Sequence, residues 1–434
     1  MRELPCPDGW SMVKLGDLGE VNRGRSRHRP RYAEHLYGGS YPFIQTGDIR
    51  LSNGRITSHT QTYSEAGLAQ SRLWPTGTMC ITIAANIAET AVLTYPACFP
   101  DSVVGFIADP SKANVYFIEY MFRRLKSEIQ HQASGSVQDN INLATLDRLR
   151  FPLPSLQEQH AIANVLCGFD DKIQQNRQTA RALERLVQAI YRAWFVDFEP
   201  VKVKLAGGTS FSSMPQAAFD ALPARFVESG IGRVPEGWEI KPLSSVCRLV
   251  SGGTPKRSAP AYWGGDVPWY SIKDAPGDGE VWVQTTGERI TREGVASSAA
   301  TIVPKGSTII SARGTVGKLA MAGASMAFNQ SCYGLLPIDG TSFCHLYLSM
   351  QAAVADLQQR THGSVFDTIT RSTFDGLMVV SPPNDIVSSF ESVVSPLFDL
   401  LQGVLRESLK LAELRDYLLP RLVSGSVRVE AVNG

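Results

Sequence analysis

No apolar run in the chain approaches the ~20 residues that a membrane span needs. The opening Met1-Arg2-Glu3-Leu4-Pro5 has no apolar secretory core. The expectation is a cytoplasmic protein with no membrane partner. Cysteine is sparse: seven residues, scattered, with no Cys-x-x-Cys and no Cys/His cluster at zinc spacing. They are expected to be reduced, mostly buried thiols, and they give no metal site. An excess of one charge is lacking too. Lys and Arg number 42 against 41 Asp and Glu, for a net charge of +1, so any polyanion must be met by local patches or through a partner.

Catalytic signatures are missing as well. There is no His-Glu-x-x-His, no Gly-x-Ser-x-Gly, no Gly-x-Gly-x-x-Gly, and no Asn-Pro-Pro-aromatic tetrapeptide of the kind expected in an amino-methyltransferase. Gly314-Thr315-Val316-Gly317-Lys318-Leu319 lacks the glycine spacing of a phosphate loop and the Ser/Thr after its Lys. It reads as a β-turn. The acidic pair Asp170-Asp171 reads as a solvated helix face.

What the chain does have is itself, twice. Pro7-Asp8-Gly9-Trp10 returns as Pro235-Glu236-Gly237-Trp238, a shift of 228. Gly135-Ser136-Val137, with Asp139 and Ile141, returns as Gly363-Ser364-Val365, Asp367 and Ile369 at the same shift of 228. A domain-sized period sets the architecture, and 434 residues suffice for two or three domains with real cores. Each copy alternates short β-prone runs with Gly/Pro turns. Met79-Cys80-Ile81-Thr82-Ile83 matches Ser307-Thr308-Ile309-Ile310, and helical stretches follow at Val115–His131 and Phe343–Gln359.

Each copy then enters a long helical pattern. In the first, apolar spacing alternates four and three through Ile162, Leu166, Phe169, Ile173, Asn176, Ala180, Leu183, Val187, Ile190 and Trp194. Adding 228 gives Phe390, Val394, Leu397, Leu401, Val404, Ser408, Leu411, Arg415, Leu418 and Leu422. These are heptad seams, on helices of roughly 35 residues and ~50 Å. Gly168 and Pro396 occupy the same aligned position, so a bend or break is expected there. If the repeat's pseudo-twofold axis makes the helices antiparallel and they cross at mid-seam, Ile162 faces Leu422, Ile173 faces Leu411, Leu183 faces Leu401 and Trp194 faces Phe390. Asn176 then meets Ser408, and Phe169 meets Arg415 as a cation–π pair.

The fold class that follows is mixed α+β. Two globular α/β domains are separated by a pair of long antiparallel coiled-coil helices. The boundaries are 1–150 for the first domain, 151–199 for the first helix, and 200–232 for a Gly/Ser/Pro-rich linker. The second domain is 233–378, and the second helix with its tail is 379–434.

The basic signals are local. Arg23, Arg25, Arg27, Arg29 and Arg31 alternate, and an extended backbone puts all five on one side. They read as an arm that grips phosphate or the guanine edge, or else as a flexible solvated loop. The aligned Ser251-Gly252-Gly253-Thr254-Pro255-Lys256-Arg257 is also basic. Polar or basic positions in neighbouring loops are Gln45 and Asn86 in the first copy, and Lys273 and Arg313 in the second. These eleven residues are the candidate DNA contacts. Gln138-Asp139-Asn140 and Asp367 recur in both copies, so turn and cap roles are expected for them.

These features resemble the specificity subunit of type I restriction-modification systems. The distinctive pieces are the Pro-x-Gly-Trp openings, Ser251-Gly252-Gly253-Thr254-Pro255, Tyr262-Trp263-Gly264-Gly265-Asp266-Val267-Pro268-Trp269, Phe328-Asn329-Gln330, and Phe151-Pro152-Leu153-Pro154-Ser155-Leu156-Gln157-Glu158-Gln159. Trp194-Phe195-Val196-Asp197-Phe198-Glu199-Pro200 closes the first helix. The second copy departs at Ser381-Pro382-Pro383-Asn384-Asp385-Ile386, which lacks the Glu-Gln pair.

The resemblance implies two target-recognition domains on one asymmetric bipartite double-stranded DNA site. The helices act as a ruler and dock two modification subunits, which methylate adenine N6 with S-adenosylmethionine. Restriction subunits add ATP-driven translocation and cleavage, with Mg. No cofactor is expected on this chain, and it is expected to be non-catalytic. A ~50 Å spacer covers half-sites about one DNA turn, ~34 Å, apart. The alternatives are a stand-alone enzyme, a specificity subunit of a related DNA-modification defence system, and an interaction scaffold that binds no DNA. Cleavage or methylation by the chain alone marks the enzyme, and absent or sequence-independent binding marks the scaffold.

Overall fold

A computed structural model describes residues 5–28, 30, 32–84, 86–134, 143–277, 280–360 and 368–429. The repeated Gly-Ser-Val turns, with Gln138-Asp139-Asn140 and Asp367, lie outside the described residues. The chain divides into two compact units, Met1–Lys172 with Lys410–Gly434, and Ile173–Leu409.

Each unit carries the same five-stranded sheet. In the first the order is Gly19–Arg23, Val103–Ala108, Met79–Thr82, Thr90–Leu93, Arg55–Ile56. In the second it is Cys247–Ser251, Cys332–Pro337, Thr308–Ser311, Leu319–Ala322, Trp282–Val283. Only the last neighbours of each sheet run parallel. The central strands, Met-Cys-Ile-Thr and Thr-Ile-Ile-Ser, are buried at every position, as apolar runs without alternation require when both faces are covered. Beside each sheet lies a helix, Val115–Ser134 or Phe343–Arg360. A two-stranded clasp closes each domain: Ser11–Lys14 on Arg150–Leu153, and Glu239–Pro242 on Met378–Ser381. Each clasp leads into a long helix.

The long helices are Leu156–Phe195 and Asn384–Leu422. Both run unbroken through the aligned breaker positions. Gly168 and Pro396 are exposed, as is Ser392, so a carbonyl freed one turn before Pro396 lies on a solvated side of the helix. In the first unit Ile162, Ala163 and Leu166 share a core with Leu419, Leu422 and Val423, against the domain's Phe117, Met121 and Phe151. In the second, Ala180, Val187, Ile190 and Trp194 share a core with Phe390, Val394 and Leu401. Numbers rise along one helix as they fall along the other, so the contacts within each unit are antiparallel. Trp194 and Phe390 lie ring to ring at 5.5 Å.

Two expected polar mates differ. Asn176 is buried and donates from Nδ2 to Glu407 at 2.8 Å, while Ser408 turns its hydroxyl back to Val404 O on its own helix at 2.9 Å. A longer acceptor one position away reaches the buried amide, and a serine hydroxyl is satisfied locally. Arg415 does not sit on Phe169 as a cation–π mate. It donates to Asp170 at 2.6 Å, and Asp170 also accepts from Tyr120 at 2.6 Å. Asp170 is therefore buried, not a solvated face, while its neighbour Asp171 is exposed and pairs with Arg55.

Residues 200–232 are more than a linker. Glu199–Leu205 and Gln216–Ala221 are helical, and Phe226–Ser229 pairs with Gly232–Pro235. Val201, Met214, Ala218, Phe219 and Leu222 join the core that holds Trp194. Lys204 Nζ donates to the carbonyls of Phe219, Asp220 and Leu222, closing the end of the second short helix.

Candidate nucleic-acid interface

In the first unit the strand Gly19–Arg23 runs on without a turn. Arg23, Arg25 and Arg27 are exposed, while Gly24 and Ser26 between them are buried. This is the period of two that the arginine spacing implies. The backbone is bonded along its length. Gly24 N–H donates to Val103 O at 2.8 Å, and Arg25 N–H to Phe99 O at 3.2 Å. The Arg25 carbonyl accepts the Ser71 hydroxyl at 2.9 Å. Arg27 and His28 both donate their N–H to Gln70 Oε1, at 2.6 and 3.0 Å. The described arm is thus a held ribbon, not a loose loop. Glycine is needed at position 24, where a Cβ would stand 2.3 Å from Pro100 O. Arg29 and Arg31 lie outside the described residues.

The segment Cys98–Val103 gathers the other candidates of this unit. The arm bonds to it at Phe99 and Val103. Ile44 N–H donates to Cys98 O at 2.8 Å, which places Gln45 beside it. Ile83 N–H donates to Ser102 O at 3.0 Å, which places the turn bearing Asn86 there too. Gln45 is half-buried and donates from Nε2 to Gln61 at 2.6 Å. Asn86 serves its turn through its carbonyl, which accepts the Thr82 hydroxyl.

Phe328–Ser331 does the same work in the second unit. Gly253 N–H donates to Phe328 O at 2.9 Å, Asn329 N–H to Tyr270 O at 3.0 Å, and Ala312 N–H to Ser331 O at 2.7 Å. These three bonds fix the arm with Lys256 and Arg257, the turn with Lys273, and the turn with Arg313. Lys256, Arg257, Lys273 and Arg313 are all exposed. Gly252 matches Gly24, with a Cβ that would stand 2.1 Å from Asn329 O. Phe328–Ser331, which opens with the Phe-Asn-Gln motif, is thus a hub for three loops.

The two arms are pinned by different side chains. In the second unit the indole N–H of Trp269 donates to Gly253 O at 3.0 Å, and that of Trp263 to Lys256 O at 3.3 Å. Arg257 lies 3.9 Å over the Trp263 ring and holds Glu288 with both guanidinium nitrogens. The hydrogen bond to Glu288 pushes the guanidinium up, and Arg257 holds the Glu288 carboxyl below its usual range. Arg257 is therefore engaged within its own unit. In the first unit Arg72, two residues after Gln70, lies 4.0 Å over Trp74 and pairs with Glu20 at 2.6 Å.

Gln70, Ser71, Trp263 and Trp269 were not among the sequence candidates, because their partners stand 7 to 46 residues away in the chain. Burial pushes the thiol of Cys98 up to about 11 and those of Cys247 and Cys332 to about 12. Among the described residues no group of three or more His, Cys, Asp or Glu is placed to hold a metal ion, and no helix is long and apolar enough to cross a membrane.

The profile of the type I restriction modification DNA specificity domain matches this chain twice, over residues 7–185 and 235–407. The chain belongs to that family. It is 27% identical over 372 residues to the type I restriction enzyme HindI specificity subunit of Haemophilus influenzae, covering 74% of this chain and 80% of that one. It is 24% identical over 437 residues to the MjaIX specificity subunit of Methanocaldococcus jannaschii, covering 98% and 95%. Its fold is shared with the crystal structure of a type I restriction-modification S subunit from M. genitalium. That match has a TM-score of 0.62 at 15% identity and covers 97% of each chain. As a member of this family, the chain is a type I specificity subunit.

Proposed function

We propose that each unit reads one half of an asymmetric bipartite duplex target. The observation that carries this reading is the shared hub with unlike loops. Cys98–Val103 and Phe328–Ser331 hold three loops each through backbone bonds, two of the three at matching positions. The side chains they present differ: Arg25, Arg27, Gln45 and Asn86 against Lys256, Lys273 and Arg313. A palindromic target would favour like readers, and unlike readers suit two different half-sites. Arginine on an extended ribbon suits phosphate or guanine O6/N7, and the near-neutral net charge leaves much of the phosphate grip to partners.

In the same proposal the long helices dock two modification subunits, and through them the restriction subunits. S-adenosylmethionine, ATP and Mg belong to those partners, and this chain does no chemistry of its own. The test is to co-express the chain with its modification subunit and map methylated adenines across the genome. A single bipartite, asymmetric motif is expected. A contiguous motif, or none, contradicts the proposal, and sequence-independent binding would mark an interaction scaffold.

A further inference from the structure

Gln70 is half-buried at the end of the short helix Glu65–Ala69, whose start is capped by the Ser64 side chain. Its single Oε1 accepts two consecutive backbone N–H groups of the arginine arm, Arg27 at 2.6 Å and His28 at 3.0 Å. Next to it, Ser71 donates to the Arg25 carbonyl at 2.9 Å. These three bonds hold the outer part of the arm. The inner part is held by the sheet hub at Phe99 and Val103. In the second unit the matching helix Arg292–Ala296 is followed by Ser297 and Ser298 in place of Gln70 and Ser71, and both hydroxyls bond to Gly294 O and not to the arm. There the two tryptophan indoles do the holding. The glutamine clamp therefore belongs to the first reader alone.

We infer that Gln70, with Ser71, is a positioning residue that sets the phase in which the arginine arm meets DNA. This rests on the reading of the arm as a DNA contact. Same-side residues of an extended chain repeat every ~6.6 Å, two residues at ~3.3 Å. That equals about two base-pair steps of ~3.4 Å. Held in phase, Arg25 and Arg27 address positions two base pairs apart, and the position between them is passed over by buried Ser26. A slip of one residue would exchange the sides, turning Gly24 and Ser26 outward and the arginines into the hub. The clamp acts on Arg27 and His28 through their backbone, so it needs an acceptor at the Oε1 position and not an amide as such. The carboxylate of Gln70→Glu keeps that acceptor, and Gln70→Ala removes it.

The experiment uses the full chain co-expressed with its modification subunit, with the genome-wide map of methylated adenines as readout. Gln70→Ala is expected to relax the first half-site by tenfold or more in discrimination, while the second half-site stays sharp. Gln70→Glu is expected to restore it. Ser71→Ala, which removes one bond, should give a smaller loss at the same positions. The salt dependence of non-specific duplex binding should not move, because every arginine is still present. Unfolding midpoints are measured for each variant, and Ser71→Ala and Gln70→Glu keep the test alive should Gln70→Ala fail to fold. The inference is overturned if Gln70→Ala leaves the first half-site unchanged, if both half-sites relax together, or if Gln70→Glu fails to rescue. Arg27→Ala separates the two levels. If it too leaves every position unchanged, the reading of the arm as a DNA contact has failed, and not only the clamp.

Discussion

Asp170 and Arg415 meet at 2.6 Å although 245 residues separate them in the chain. The carboxylate is nearly enclosed, and Tyr120 and Arg123 donate to its other oxygen. Arg123 also holds the buried Glu119, which accepts from Thr90 as well. One polar knot thus ties the sheet, the domain helix and both long helices of the first unit. At the shift of 228 the corresponding residues of the second unit are Phe398 for Asp170, Val187 for Arg415 and Tyr347 for Glu119. There Tyr347 packs edge-on against Phe398 at 6.1 Å. Removing one partner of a buried pair costs about 3–5 kcal/mol. Arg415→Leu is expected to cost that much in denaturant unfolding. The double variant Asp170→Leu with Arg415→Leu should recover most of it. Equal losses in the single and double variants would contradict the knot.

The seam can be probed the same way. Asn176 and Glu407 are expected to couple by about 1 kcal/mol in a double-mutant cycle. Asn176 and Ser408 are expected to show no coupling, since the serine bonds to its own helix. Coupling to Ser408 instead would restore the register expected from sequence.

Phe219 is buried within the segment 200–232. Phe219→Ala is expected to destabilise the protein by about 3–5 kcal/mol, and proteases should spare this segment until unfolding. Ready cleavage there in the native protein would return it to the status of a linker.

Two buried groups of the second unit give opposing pH effects. Burial lowers His345 from 6.5 to about 4, so the unfolded chain binds more protons and stability rises with pH between about 4 and 6.5. Burial raises Glu391 from 4.5 to about 7, so the folded chain binds more protons and stability falls with pH between about 4.5 and 7. In the native protein the two slopes offset over their common range. His345→Phe, which places the first unit's Phe117 at the matching position, should unmask a melting temperature that falls as pH rises from 4.5 to 7. Glu391→Gln should unmask the opposite slope between 4 and 6.5. Unchanged profiles in both variants would remove these groups from the pH balance.

The repeat and the seam were legible because they depend on residue type at fixed spacing. Strands, hubs and clasps follow the shift of 228 within a residue or so, and Trp194 meets Phe390 as the heptads require. The arginine arm was legible as an alternation. What sequence could not show depends on distant partners. Asp170 reads as solvated until Tyr120 and Arg415 are beside it. Arg257 reads as a free reader until Glu288, 31 residues on, takes its guanidinium. The segment 200–232 has helices of only seven and six residues, too short to show a period, and its burial comes from contacts with Trp194 and its neighbours.

In the proposed function one scaffold holds two unlike readers. The most direct measurement is a paired methylation map of Arg27→Ala and Arg313→Ala in the full chain with its modification subunit. Truncating a side chain that reads a base should cost about 1–3 kcal/mol at the position it reads. Arg27→Ala is expected to relax one half-site and Arg313→Ala the other, each leaving its opposite intact. Both variants relaxing the same half-site, or weakening all sites uniformly, would contradict it.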